Sequence, residues 1–108
     1  MPVVSRLAPL AAVLASLALL VAPASASVPN GTYECFNLGY NFTLKAHDKY
    51  KVQTGGGGKW TSKGSKVKFK SGPMDFAYGK LRKDQTGAPV IDLYDVGDDT
   101  YYDNCPKV

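Results

Sequence analysis

Lys66-Val67-Lys68-Phe69-Lys70 is the stretch of sequence that decides the fold. Its charged and apolar side chains alternate with a period of two, which is the pattern of a β-strand with one exposed and one buried face. The three lysines therefore share the outer face, and Val67 and Phe69 face a core. The same alternation continues through residues 40–46 and 50–53, and after residue 26 no stretch keeps apolar residues at helical spacing. The sequence predicts an all-β domain.

Two further strands and a series of turns extend this pattern along the chain. Residues 90–96 are apolar except at Asp92 and Asp95, which predicts a central strand, and residues 76–81 predict another strand. Turn-forming residues recur at intervals of roughly eight to twelve residues, as in antiparallel sheets. They are Asn30-Gly31, His47-Asp48, Gly55–Gly58, Gly64-Ser65, Ser71-Gly72-Pro73, Thr86-Gly87 and Gly97-Asp98.

This spacing predicts a small antiparallel meander of seven or eight strands. A flat sheet would leave two unpaired edges and one bare apolar face, and closure into a barrel removes both. An open sandwich of two sheets is the alternative. A barrel of this size is filled by its own side chains, so we expect solid packing rather than a ligand cavity.

The first 26 residues have the pattern of an export signal. A single positive charge at Arg6 precedes an apolar run over residues 7–22, and Ala24-Ser25-Ala26 matches a cleavage site. The alternative is an uncleaved anchor, against which stand Pro9 and the absence of a basic flank after the run. We therefore expect a signal peptide at residues 1–26 and one domain at residues 27–108, secreted or periplasmic, with no membrane span after cleavage.

Cys35 and Cys105 are the two cysteines of the chain, so only one intramolecular disulfide can form. Cysteines of small exported domains pair by default. This bond would join the first predicted strand to the last, as closure of a barrel requires. The chain-entropy model gives about 4 kcal/mol for so long a loop. Metal binding needs more Cys or His ligands, and His47 is the only histidine.

Charge is unevenly distributed along the domain. Residues 45–83 contain eleven Lys and Arg against Asp48 and Asp75, whereas residues 84–108 contain six Asp against Lys107. The outward lysines could bind a polyanion such as a teichoic acid, an anionic lipid headgroup or a nucleic acid. The alternative is that they only provide solubility and protect strand edges. Because Arg82 is the one arginine after residue 26, we expect no specific nucleic-acid recognition.

Three motifs suggest chemistry, and each has a simpler interpretation. Gly55–Gly58 followed by Lys59 lacks the Ser or Thr and the helix of a phosphate-binding loop, so a flexible hairpin tip is expected. His47-Asp48 has no identifiable nucleophile to activate and is expected to be a turn. The acidic segment from Asp92 to Asp103 could supply a hydrolase acid and base, and Asp95–Asp99 could bind calcium, but neither cleft nor calcium-loop spacing is evident. A solvated acidic hairpin is the simpler interpretation.

Several residues resemble a known family. Tyr33-x-Cys35, Cys105, Tyr50 and Trp60-x-x-Lys63-Gly64 resemble the bacterial inhibitors of C-type lysozyme of the MliC/PliC type. The resemblance implies an exported antiparallel β-barrel that places a loop in the lysozyme cleft, with Lys63 at the position of an inhibitory lysine. The serine and glycine of that family would fall at Ala46 and His47, where this chain differs.

We therefore predict a non-enzymatic binding module, without cofactor or metal, that acts as a monomer through hairpin loops around residues 55–64. Its partner is expected to be an extracellular protein, as for a lysozyme-type inhibitor, or a polyanionic surface. Trp60 is either a core residue, which we favour, or an exposed anchor. The alternative function is a lipocalin-like carrier with aromatic side chains lining a pocket, namely Tyr40, Phe42, Phe69, Phe76 and Tyr78. The candidate binding residues are Tyr50, Trp60, Lys63, Lys66, Lys68 and Lys70.

Overall fold

The computed structural model describes residues 27–108, and the predicted signal peptide at residues 1–26 lies outside them. Eight strands form one antiparallel sheet in which every strand pairs with its neighbours in the chain. The strands are β1 (Gly31–Tyr33), β2 (Phe42–Lys45), β3 (Lys49–Val52), β4 (Gly57–Lys63), β5 (Lys66–Phe69), β6 (Ala77–Lys83), β7 (Pro89–Asp95) and β8 (Tyr101–Pro106). Across the described residues there is no helix with the length and apolar character needed to span a membrane. The predicted meander of seven or eight strands is confirmed.

The alternation in sequence corresponds directly to alternation in burial. Along β5, Lys66 and Lys68 are exposed and Val67 and Phe69 are buried, and β3 shows the same order. The strand predicted to be central, β7, pairs along most of its length with both β6 and β8. It buries Val90, Ile91 and Leu93, which explains why its sequence is apolar at consecutive positions.

Contacts between the two ends of the chain close the sheet into a nearly complete barrel. Tyr33 of β1 pairs with Lys107, just after β8, in an antiparallel bridge. The Glu34 amide donates to the Pro106 carbonyl at 2.8 Å, and the Val108 amide donates to the Thr32 carbonyl at 2.9 Å. The barrel is therefore confirmed, and the open sandwich is not formed.

The predicted disulfide joins the same two ends. Cys35 follows β1, Cys105 lies in β8, and 70 positions separate the two residues in sequence. The bond cross-links the strands whose edges meet when the barrel closes. It therefore ties the first and last strands together covalently beside their hydrogen bonds.

Aromatic side chains fill the inside of the barrel. The rings of Tyr33 and Phe42 stack with centroids 5.4 Å apart, and the Phe69 ring meets those of Phe42 and Tyr50 edge-on at 5.5 and 5.1 Å. Leu44, Val67, Met74, Ile91 and Leu93 are almost fully buried beside them. The side chains that the carrier hypothesis assigned to a pocket either belong to this packing, as do Phe42 and Phe69, or lie outside it, as does Tyr78.

The glycine run differs from the flexible hairpin tip that the sequence suggests. Gly55 and Gly56 form the turn after β3, but Gly57 and Gly58 are the first two residues of β4. A Cβ atom on Gly58 would lie 2.2 Å from the Ser71 carbonyl oxygen, and one on Gly57 would lie 2.2 Å from that of Tyr50. The second half of the run is therefore required for close backbone approach, which a sequence pattern alone does not distinguish from flexibility.

Candidate functional site

Tyr50 is one of the candidate binding residues, but the fold buries it. Its side chain is 3% exposed. The hydroxyl donates to the Ser71 carbonyl at 2.7 Å and accepts from the Met74 amide at 2.9 Å. Burial is the main reason that the pKa of this phenol is raised. Tyr50 therefore anchors the loop between β5 and β6 and offers no exposed ring to a partner.

Trp60 also faces the core, as the favoured interpretation of the sequence holds. It is 6% exposed, and its indole N–H donates to the Lys45 carbonyl at 3.2 Å. A buried indole normally finds such a partner. In the pairing of β4 with β5, Trp60 lies directly opposite the buried Phe69. The indole ring could face outward only if this pairing shifted by one residue. The hypothesis that Tyr50 and Trp60 contact a partner is thus set aside, and the candidate lysines remain.

The candidate lysines belong to a larger group on the outer surface, which we name the lysine face. All its members are exposed and lie on or directly after strands β2 to β6. They are Lys45, Lys49, Lys51, Lys59, Lys63, Lys66, Lys68, Lys70 and Lys80. The sheet brings together side chains that are far apart in sequence, since Lys80 is 14 positions after Lys66 but directly opposite it.

Two rows of the lysine face place like charges directly opposite one another. In the first row Lys63 of β4 pairs with Lys66 of β5, which pairs with Lys80 of β6. The second row runs over β2, β3 and β4 and consists of Lys45, Lys49 and Lys59. Opposed residues of antiparallel strands have Cα atoms about 5 Å apart, and like charges in such pairs destabilise the sheet.

Tyrosine rings, rather than carboxylates, hold two of these ammonium groups. The Lys66 Nζ atom lies 4.8 Å from the centroid of the Tyr78 ring, and the Lys80 Nζ atom lies 4.7 Å from that of Tyr94. The two rings stack on each other with centroids 5.5 Å apart. Such cation–π contacts are attractive but leave the positive charge uncompensated. Between residues 27 and 108 the only ion pair is Arg82–Asp92, at 2.6 Å, and it includes no lysine of this face.

A shallow groove runs along the lysine face between β4 and β5. Its volume is about 410 Å³, and its lining combines ammonium groups with hydroxyl groups, from Thr61, Ser62, Lys63, Lys66 and Lys68. Ammonium and hydroxyl groups donate hydrogen bonds to phosphate, sulfate or carboxylate oxygens. The groove can therefore hold an anionic group, and the candidate residues Lys63, Lys66 and Lys68 meet there. Lys70 lies farther along the same outer face.

The acidic segment does not form a common site. Asp92 is paired with Arg82, whereas the carboxylates of Asp95 and Asp98 accept hydrogen bonds from the amides of Gly97 and Thr100 in their own turn. In the described part of the chain, the one close group of three metal-ligating side chains is Cys35, Asp103 and Cys105, in which both sulfurs are used by the disulfide. Apart from this group, residues 27–108 contain no close set of three such side chains for the predicted calcium site, and the hydrolase alternative stays a prediction.

Asp103 is the residue that sequence reasoning missed. It is 1% exposed, and its carboxylate accepts hydrogen bonds from the amides of Phe36, Asn37 and Leu38 at 3.2, 2.8 and 2.7 Å. The same loop contains Cys35, so one carboxylate and one disulfide fasten it to β8. In sequence Asp103 is one of six aspartates after residue 83, and nothing in the pattern marks it as buried.

Comparisons with protein-family models, with curated proteins and with solved structures found no match to this chain. The resemblance to inhibitors of C-type lysozyme therefore stays a prediction. The structure does place its residues in the fold: Ala46 and His47 lie in the exposed turn after β2, and Lys63 ends β4 at the same end of the barrel. His47 has a φ angle of 63°, which fits the predicted turn.

Proposed function

We propose that this protein is a non-enzymatic binding module that acts outside the reducing cytoplasm and binds a polyanionic surface through the lysine face. The observation that carries the proposal is the row Lys63, Lys66 and Lys80, which places three ammonium groups opposite one another. Within residues 27–108 none of the three forms an ion pair, because Asp92, which lies opposite Lys80, is paired with Arg82. The disulfide supports the location, because such bonds persist in oxidising compartments.

The electrostatic cost of these rows is the physical reason for the proposal. Lysines that serve only solubility can be interleaved with acidic residues, and such mixing removes the repulsion between opposed strands. Here the repulsion is retained in two rows, and cation–π contacts hold Lys66 and Lys80 in place. A bound polyanion relieves the repulsion and gains the release of its condensed counterions. Positioning two ammonium groups in advance also lowers the entropy cost of binding.

The test compares two variants that remove the same net charge. Lys66→Gln/Lys80→Gln neutralises the centre of the lysine face, and Lys83→Gln/Lys107→Gln neutralises two lysines outside it. Binding to long-chain polyphosphate and to heparin is measured by titration calorimetry over a range of salt concentrations; the two probes distinguish phosphate from sulfate chemistry. We expect the first variant to bind at least tenfold more weakly and with a shallower salt dependence, while the control changes little. Equal losses in both variants, or no binding by the unmodified protein, would overturn the proposal.

A second candidate function is inhibition of a C-type lysozyme, and the exposed position of Lys63 at the tight β4–β5 hairpin favours it. The assay is lysis of bacterial cells by a C-type lysozyme in the presence of excess protein. Inhibition that Lys63→Ala removes, and that the equally exposed Lys51→Ala does not, supports this function. Full lysozyme activity at a large excess of the protein rules it out and leaves polyanion binding untouched.

A further inference from the structure

Exposed apolar side chains are concentrated at one end of the barrel. Of the five large apolar residues exposed between residues 27 and 108, four lie at the end where the loops after β1, β3, β5 and β7 meet. They are Phe36 at 70%, Val96 at 53%, Tyr101 at 51% and Tyr102 at 37% exposure, whereas Val108 lies at the opposite end. We name these four residues and Phe76, whose ring contacts that of Tyr102 at 5.4 Å, the aromatic rim. Exposed apolar side chains gathered at one end of a domain are candidates for an interaction site.

The loop that carries Phe36 is held rigidly, although its side chain is exposed. The neighbouring Cys35 is bonded to Cys105, and the buried Asp103 carboxylate accepts the amides of Phe36, Asn37 and Leu38. The Asn37 side-chain amide also donates to the Tyr102 carbonyl at 3.1 Å. An aromatic anchor on a loop that is already ordered loses little conformational entropy when it enters a pocket.

The charge at this end is opposite to that of the lysine face. The loops there and the adjoining strand end carry four carboxylates and one lysine: Asp75, Asp95, Asp98, Asp99 and Lys70. An anionic lipid surface would be repelled by these carboxylates, whereas a cationic protein surface complements them. The charges therefore indicate a cationic protein rather than an anionic lipid surface as the partner, a distinction that the exposed rings alone do not make.

We propose that the aromatic rim is a second binding surface, whose partner is a protein that presents lysine and arginine side chains around an apolar pocket. The Phe36 ring enters the pocket, and the carboxylates of the surrounding loops face the basic side chains. This surface adjoins the lysine face, because Val96 and Asp99 line one pocket with Lys66 and Lys68, but its own loops carry an excess of carboxylates. The inference uses neither the lysine rows nor a bound polyanion, so it does not depend on the polyanion-binding function.

The test is selection of a displayed library of random peptides on the full protein, tethered through its carboxyl terminus so that the rim is free. A parallel selection uses Phe36→Ser, and Val108→Ser is the matched control, because both remove an exposed apolar side chain. We expect enriched peptides to combine lysine or arginine with aliphatic or aromatic residues. The Kd of a synthetic enriched peptide should rise at least tenfold with Phe36→Ser and stay within twofold with Val108→Ser. No enrichment, enriched peptides without basic residues, or equal binding by Phe36→Ser would overturn the proposal.

Three further measurements keep the result unambiguous. The thermal midpoint of Phe36→Ser should match that of the unmodified protein, since the ring is 70% exposed. Weaker peptide binding by this variant would then not be caused by unfolding. Sedimentation velocity over a concentration series tests self-association; a dimer that Phe36→Ser abolishes would show that a second copy occupies the rim, against the proposal. Peptide binding should not weaken in Lys66→Gln/Lys80→Gln, which separates failure at the rim from failure at the lysine face.

Discussion

Asp103 gives the sharpest test of how the barrel is held together. The change is Asp103→Asn, which keeps the size and shape of the side chain but replaces one acceptor oxygen with an NH₂ group. In the native protein Oδ2 accepts the amides of Asn37 and Leu38, and Oδ1 accepts those of Phe36 and Asn104. The asparagine can satisfy only one of these two pairs. Two backbone donors therefore lose their acceptor, either the amides of Asn37 and Leu38 or those of Phe36 and Asn104.

The expected cost follows from the burial of that site. A buried donor left without its partner costs about 1–3 kcal/mol, and bonds to a charged acceptor lie toward the upper end. Removal of a buried charge returns part of this cost. We therefore expect the free energy of unfolding to fall by about 3 kcal/mol, a large share of the 5–15 kcal/mol that is usual for a domain.

The assay is equilibrium unfolding in urea with the disulfide intact, combined with amide hydrogen exchange. We expect a lower midpoint, an unchanged m-value, and faster exchange of the amides of residues 36–38. Asp75→Asn makes the same chemical change on an exposed side chain and should leave the midpoint unaltered. A midpoint for Asp103→Asn that equals that of the unmodified protein would refute the account of the loop given above.

Three further predictions concern the disulfide, a glycine and a tyrosine. Replacement of Cys35 and Cys105 by serine should lower the free energy of unfolding by about 4 kcal/mol in urea, because the bond closes a loop of 70 positions; a loss below 1 kcal/mol would contradict the entropic argument. Gly58→Ala should prevent β4 from pairing correctly and lower the thermal midpoint steeply, since its Cβ would lie 2.2 Å from the Ser71 carbonyl oxygen. Gly64→Asn should be tolerated, because the space around the residue is open and asparagine adopts the left-handed φ of 63° found there; equal midpoints would be the contrary result. Burial raises the pKa of Tyr33 to about 12 from 10.0, so the native state favours its neutral form. The resulting stability is fully present below pH 10 and is lost as the pH rises from 10 to about 12; alkaline unfolding curves should show this loss and Tyr33→Phe should show less of it, and identical pH dependence in both proteins would count against the burial of the phenol.

The fold follows closely from the sequence because its signals are local. The period-two pattern at residues 66–70 and the turn residues between strands specify strand faces and hairpins over a few positions. In a meander each strand pairs with the next one in the chain, so the strand order does not depend on contacts between distant parts of the sequence. Because only one cysteine pair is possible, the sequence also indicates that the barrel closes between the segments that contain Cys35 and Cys105. The glycine run was misjudged at Gly57 and Gly58, because a flexible turn and a close backbone contact require the same residue type.

The candidate site was predictable only in part. Lys66, Lys68 and Lys70 were expected to face outward, and they are exposed. The position of Lys66 opposite Lys80 depends on the register of β5 against β6. Tyr50 was named as a candidate binding residue, although its alternation with Lys49 and Lys51 already predicts the inner face of β3, and the structure buries it. Phe36 was overlooked because a single aromatic residue in a short loop carries no periodic signal.

The amino-acid sequence by itself determined the all-β class, the order of the strands, the outer position of the lysines and the identity of the disulfide, because each depends on neighbours in the chain or on there being one possible pair. The tertiary structure alone decided which aspartate is buried, which lysines oppose one another and which aromatic ring is left in solvent. Those properties depend on contacts between residues that are far apart in sequence, such as Asp103 with the loop at residues 36–38. Burial and cross-strand register are properties of the closed barrel, and they come into being only when its first and last strands meet.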